Sequence, residues 1–140
     1  MSGWQLKLVG IVGLAVSFAA ASSGAATSTC DQAARVIDSY YQSLQTGDVV
    51  ALRELFRGRL AQRRTELLNN PNYSGHLIER FQRVEHQILN CVHAQPDRIQ
   101  IDVLEALNVD ESIQKRFYLQ YLDEGSISGI TNILLSLADN

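Results

Sequence analysis

Tyr40 and Tyr41 stand side by side in "DSYYQSLQTGDVVALRELF", eight and seven residues ahead of Asp48. A phenol can donate a hydrogen bond to a substrate oxygen, or its ring can fill a core. A second candidate for chemistry is Glu105 in "IQIDVLEALNV", where Ile99, Ile101, Val103, Leu107 and Val109 share its face by period two. A carboxylate in such an apolar row is desolvated, which raises its pKa and suits a pocket acid. The structural alternatives are a strand end twisting into solvent, or a bond to Arg116 or Tyr118 across a hairpin. Tyr40 and Glu105 are the candidate catalytic residues on these grounds, each with a packing role as its competitor.

The other reactive side chains are sparse. His76, His86 and His93 are scattered, and no pair has the spacing of metal ligands on a helix. Cys91 and His93 share a strand phase, but a cysteine held in a disulfide cannot bind metal. No metal site and no cofactor are expected. The chain has no Gly-rich phosphate loop, no nucleophile elbow and no acid pair at glycosidase-like spacing, which weighs against an enzyme. Arg57, Arg59, Arg63 and Arg64 place four guanidiniums within eight residues. They read as a solvated helix face, or as a docking patch for an acidic partner or lipid headgroups.

The elements that must position these residues follow from periodicity. Ala34, Ile37, Tyr40, Tyr41 and Leu44 make one helical stripe from Asp31 onward. Gly47 ends that helix, and Asp48 caps a second one carrying Val49, Leu52, Leu55 and Phe56. "RGRLAQRRTELLNN" continues as arginine-rich helix until "NNPNYSG" breaks it. "SGHLIERFQRVEH" is a further helix with Leu77, Phe81 and Val84 inward. After His86 the pattern alternates: "QILNCVHA", "IQIDVLEALNV", "IQKRFYLQYL" and "ISGITNILLSL" are strands separated by "QPDR", "VDES" and "DEGS". Helices followed by an antiparallel meander predict an α+β fold, with N-terminal helices packed on a curved antiparallel sheet of about four strands.

The first 26 residues read differently. "MSGWQLKLVGIVGLAVSFAAASSGAATST" has one early cation, Lys7, then an uncharged apolar run to Ala21 and Ala-x-Ala-like ends at Ala21 and Ala26. That is the layout of a secretory signal peptide at 1–26 ahead of one domain at 27–140. Export to a periplasm or to the exterior is expected, with no stable membrane span after cleavage. Removal through Ala26 leaves 114 of the 140 residues, with 11 basic against 15 acidic side chains and a net charge of −4. That balance argues against nucleic acid as a partner. Both cysteines remain after cleavage, and an oxidising compartment favours a Cys30–Cys91 bridge.

"YYQSLQTGDVVALRELF" and the tail "YLQYLDEGSISGITNI" resemble the opening helices and closing hairpin of nuclear transport factor 2-like proteins. The resemblance spans roughly residues 31 to 135. It lacks the Trp often found in the last strand, where this chain has Ile127-Ser128-Gly129-Ile130. It implies a cone: a curved sheet wrapped around helices, with a pocket bounded by Tyr40, Tyr41, Phe56, Phe81, Val103, Glu105, Phe117 and Leu119. It also aligns Tyr40 with the ketosteroid isomerase tyrosine, but Arg64 falls at the base position and Phe117 near the second acid. A permanently charged guanidinium cannot abstract a proton at neutral pH, so that mechanism does not transfer. The reading is an exported, non-catalytic domain binding a small apolar ligand or a protein partner, with a homodimer through the sheet possible. Its competitors are an isomerase- or cyclase-type enzyme using Tyr40 and Glu105, and an accessory component of an envelope secretion assembly.

Overall fold

The computed structural model describes residues 29–122 and 126–136; the expected signal peptide lies outside them. Four helices precede four strands. The first helix, α1, covers residues 29–46, followed by α2 (Val49–Leu55), α3 (Gly58–Asn69) and α4 (Tyr73–Phe81). The strands are β1 (Glu85–Gln95), β2 (Arg98–Ala106), β3 (Ser112–Tyr121) and β4 (Ile127–Ser136). They form one antiparallel sheet in the order β1-β2-β3-β4. The chain is thus α+β, with its helices packed on the sheet, as the sequence predicts. Among the described residues no helix is long and apolar enough to cross a membrane.

The joints follow local chemistry. Gly47 adopts φ +68°, the left-handed conformation that closes a helix, and the Asp48 N–H reaches back to the Ser43 carbonyl at 2.9 Å. The Asp48 carboxylate then caps α2 by accepting from the Ala51 N–H at 3.0 Å. Buried Ala33, rather than Ala34, begins the inward stripe of α1, which continues through Ile37, Tyr40, Tyr41 and Leu44.

Three boundaries differ from the sequence reading. The arginine-rich segment does not continue α2, because Phe56 is extended and forms a parallel bridge with Ile130 of β4. The Arg57 N–H donates to the Ile130 carbonyl at 2.8 Å, and Gly58 restarts the helix at φ +58°. Helix α4 ends at Phe81, so Val84 is buried in a turn and His86 belongs to β1. Strand β2 stops at Ala106, which leaves Val109 fully exposed instead of on the inner face. There the Asn108 side chain accepts from the Asp110 and Glu111 N–H groups at 2.8 and 2.9 Å and turns the chain.

The core lies between the helices and one face of the sheet. Ile99, Ile101, Val103 and Glu105 of β2, with Phe117 and Leu119 of β3, face it in alternate positions. Register shifts interrupt β1 and the β3–β4 pairing, and such bulges bend a sheet. Cys30 of α1 is bridged to Cys91 of β1 with a Cα–Cα distance of 6.2 Å.

Candidate functional site

Tyr40 and Leu44 of α1, Arg64 and Leu67 of α3, and Lys115 of β3 line a cavity of about 330 Å3. Helix α4 completes it with Tyr73, His76, Leu77, Arg80 and Phe81. Positions 73, 76, 77 and 80 fall on one helical face, so a single short element supplies much of the wall. The lining divides by chemistry. Leu44, Leu67, Leu77 and Phe81 are apolar, while Arg64, Arg80 and Lys115 bring positive charge and the tyrosines bring hydroxyls.

Tyr40 joins core to cavity. The residue is 3% exposed, and its ring meets Tyr41 edge-on at 5.1 Å and Phe117 edge-on at 5.3 Å between centroids. Burial pushes the phenol well above its ordinary pKa, and the positive charge of the Arg64 guanidinium opposes that rise. Arg64 also lies over the Phe56 ring at 5.6 Å. The positions that the isomerase resemblance pairs therefore meet at one wall, but as phenol and guanidinium.

Behind this wall runs a buried polar network. Glu105 is 1% exposed, and its Oε1 accepts from the Tyr41 hydroxyl at 2.7 Å and from Lys115 Nζ at 2.9 Å. The strand-end alternative for Glu105 is overturned, because β2 and β3 hold residue 105 in the sheet interior. Its partners are not Arg116 or Tyr118 either. Arg116 pairs directly across from Asp102 on the opposite face and donates to that carboxylate at 2.8 Å. Tyr41 stacks on His86 at 4.3 Å, and His86 Nε2 lies 2.7 Å from an Asp38 carboxylate oxygen. Burial, and then the charge of Glu105, push the Tyr41 phenol well above its usual range.

Of the pocket residues expected from sequence, Tyr40 and Phe81 line this cavity. Tyr41, Phe56, Val103, Glu105, Phe117 and Leu119 are instead buried in the core, where aromatic and aliphatic contacts fill the space the resemblance left open. Tyr73, His76, Arg80 and Lys115 were missed. Lys115 had a readable signal, since period two from Phe117 and Leu119 turns it inward. The arginine run splits three ways. Arg57 turns back on the α2 end, donating to the carbonyls of Glu54 and Phe56. Arg64 enters the cavity, and Arg59 and Arg63 line a separate groove with Arg98 of β2. Among the described residues, no group of three or more His, Cys, Asp or Glu side chains is placed to hold a metal.

No protein-family model matches the chain. No curated protein matches it either. A solved structure titled "Rd1NTF2_04 with long sheet" is similar over 69% of this chain and 95% of its own, at 20% identity and a TM-score of 0.41.

Proposed function

We propose that the chain is an exported, non-catalytic domain of nuclear transport factor 2-like type that binds a small amphiphilic anion in the cavity between α1, α3, α4 and β3. One observation carries this reading: the same cavity is lined by apolar Leu44, Leu67, Leu77 and Phe81 and by the cations Arg64, Arg80 and Lys115. A ligand with a carboxylate head and a short hydrocarbon tail satisfies both, the head by charge-assisted hydrogen bonds and the tail by burial. This sharpens the small apolar ligand expected from sequence into an anionic one. Glu105 pairs with Lys115, and among the described residues no carboxylate oxygen lies within 4.0 Å of the Arg64 or Arg80 guanidinium.

The binding reading is favoured over catalysis because Glu105 gives its oxygen to Tyr41 and Lys115 and does not line the cavity. An acid so engaged is poorly placed to move a substrate proton. The Cys30–Cys91 bridge supports an oxidising compartment, in keeping with the apolar N-terminal segment. Calorimetric titration with decanoate and with decanol tests the proposal. Decanoate should bind at least tenfold more tightly than decanol, and Arg64→Gln should remove most of that difference. Equal affinity for acid and alcohol, or no binding of either, would refute it.

A further inference from the structure

The groove that holds Arg59 and Arg63 is distinct from the cavity just described. These residues stand one turn apart on α3 and face Arg98 and Tyr118 of the sheet's outer surface across about 460 Å3. Thr131 and Asn132 close it along β4. The sheet positions follow from alternation: Ile99, Ile101 and Leu119 point into the core, so Arg98 and Tyr118 point away from it. Thr131 is the extra residue where the pairing shifts between Tyr118–Asn132 and Leu119–Ile130, and its hydroxyl donates to the Tyr118 carbonyl at 3.1 Å.

The chain is acidic overall, with a formal charge of −3, yet three guanidiniums share this groove. Among the described residues, no carboxylate oxygen lies within 4.0 Å of any of them, the ion pairs being those of His86, Lys115 and Arg116. Two are nevertheless positioned by neutral partners. Arg98 lies over the Tyr118 ring at 5.5 Å, and Arg63 donates to Asn132 Oδ1 at 3.1 Å. These contacts fix direction without cancelling charge. Asp97 lines an adjoining cavity with Gly58 and Gln120, and Arg98 and Thr131 border both spaces. Gathering like charges is unfavourable unless an anion joins them.

We propose that this groove binds a phosphate group. A carboxylate offers two oxygens, which one guanidinium fork satisfies, whereas a tetrahedral phosphate offers oxygens to forks arriving from α3 and from β2 together. The Asn132 amide, with Oδ1 already accepting from Arg63, keeps its N–H donors for the same ligand. The phosphate can belong to a soluble molecule or to a lipid headgroup.

The test is a 1H–15N NMR titration of the disulfide-bonded protein at low ionic strength with inorganic phosphate and, separately, acetate. Phosphate should shift amides around 58–63, 98, 118 and 131–132, and acetate should bind at least tenfold more weakly. Arg59→Gln and Arg98→Gln, both at exposed sites, should each weaken phosphate binding at least tenfold, while Arg83→Gln, outside the groove, should not. Cosedimentation with phosphatidic acid vesicles, against phosphatidylcholine alone, separates the sources. Capture by the acidic vesicles that both groove variants abolish assigns a lipid phosphate; titration by phosphate without vesicle capture assigns a soluble one. No response to phosphate or to phosphatidic acid would overturn the proposal. So would acetate binding as tightly as phosphate, or binding indifferent to both substitutions. None of these results bears on decanoate binding in the other cavity.

Discussion

Tyr40 carries its ring in the core and its hydroxyl at a cavity wall, so ring and oxygen can be tested apart. Tyr40→Ala deletes the contacts to Tyr41, Phe56 and Phe117 and leaves a void. A loss of about 3 to 5 kcal/mol is expected from the behaviour of large-to-small aromatic replacements. Tyr40→Phe keeps the buried area and should cost no more than about 1 kcal/mol, while weakening decanoate if the hydroxyl faces the ligand. Urea melts of both variants measure this, and a Tyr40→Ala protein as stable as the parent would remove Tyr40 from the core. A second consequence concerns pH. Tyr40 and Tyr41 both have phenols held protonated by burial, so their folded pKa values are raised. Below the ordinary phenol pKa of about 10, both states hold the proton and this contribution is fully present. Above it the unfolded chain releases protons that the folded chain retains, so stability falls with rising pH. The alkaline decline should flatten in Tyr41→Phe, as followed by chemical denaturation at successive pH values; an unchanged slope would show that the phenol is not held in its neutral form.

At the scale of elements, glycines mark where helices and sheet press together. Gly129 passes beneath the α2–α3 joint, where a Cβ would lie 2.5 Å from the Leu55 carbonyl oxygen. The neighbouring contacts, Phe56 bridged to Ile130 and the Arg57 N–H bonded to its carbonyl, hold that approach in place. Gly47 combines φ +68° with a would-be Cβ contact of 2.6 Å to Ser74 Oγ, whose hydroxyl donates to the Gly47 carbonyl at 2.8 Å. Gly75, inside α4, has nothing within 4 Å of such a Cβ. A graded series follows. Gly75→Ala should stabilise by about 0.5 to 1 kcal/mol through helix propensity. Gly47→Ala and Gly129→Ala should each destabilise by about 1 to 3 kcal/mol, the first through φ and both through overpacking. Equilibrium unfolding of the three variants checks the order, and a neutral Gly129→Ala would contradict the close crossing of β4 under the joint. The last strand thus has a small residue at the very position where the sheet meets the helices.

For the whole molecule, the Cys30–Cys91 bridge ties the first helix to the first strand across a separation of 61 residues. Loop-closure entropy assigns such a bridge about 4 kcal/mol, so reduction should lower Tm by roughly ten degrees or more for a domain this size. Differential scanning calorimetry with and without reductant decides it; superimposable transitions would mean that the bridge adds nothing. The sequence by itself determined the order of elements, since amphipathic periods of 3.6 and 2, a Gly-Asp joint and Pro- or Gly-bearing turns are local signals that each segment carries alone. It also marked Glu105 as an acid on an apolar face. It misread the Phe56–Arg57 break, because a pairing with Ile130, far along the chain, overrides local helix preference there. It likewise pointed to a pocket among core residues that in fact fill one another's space. Only the tertiary structure decided that Tyr41 and Lys115 share Glu105, that one arginine run serves three different places, and that Arg98 joins Arg59 and Arg63. Spacing along a chain fixes which face a side chain occupies, but which faces meet depends on packing between segments distant in sequence, and charge has no period from which that meeting can be read.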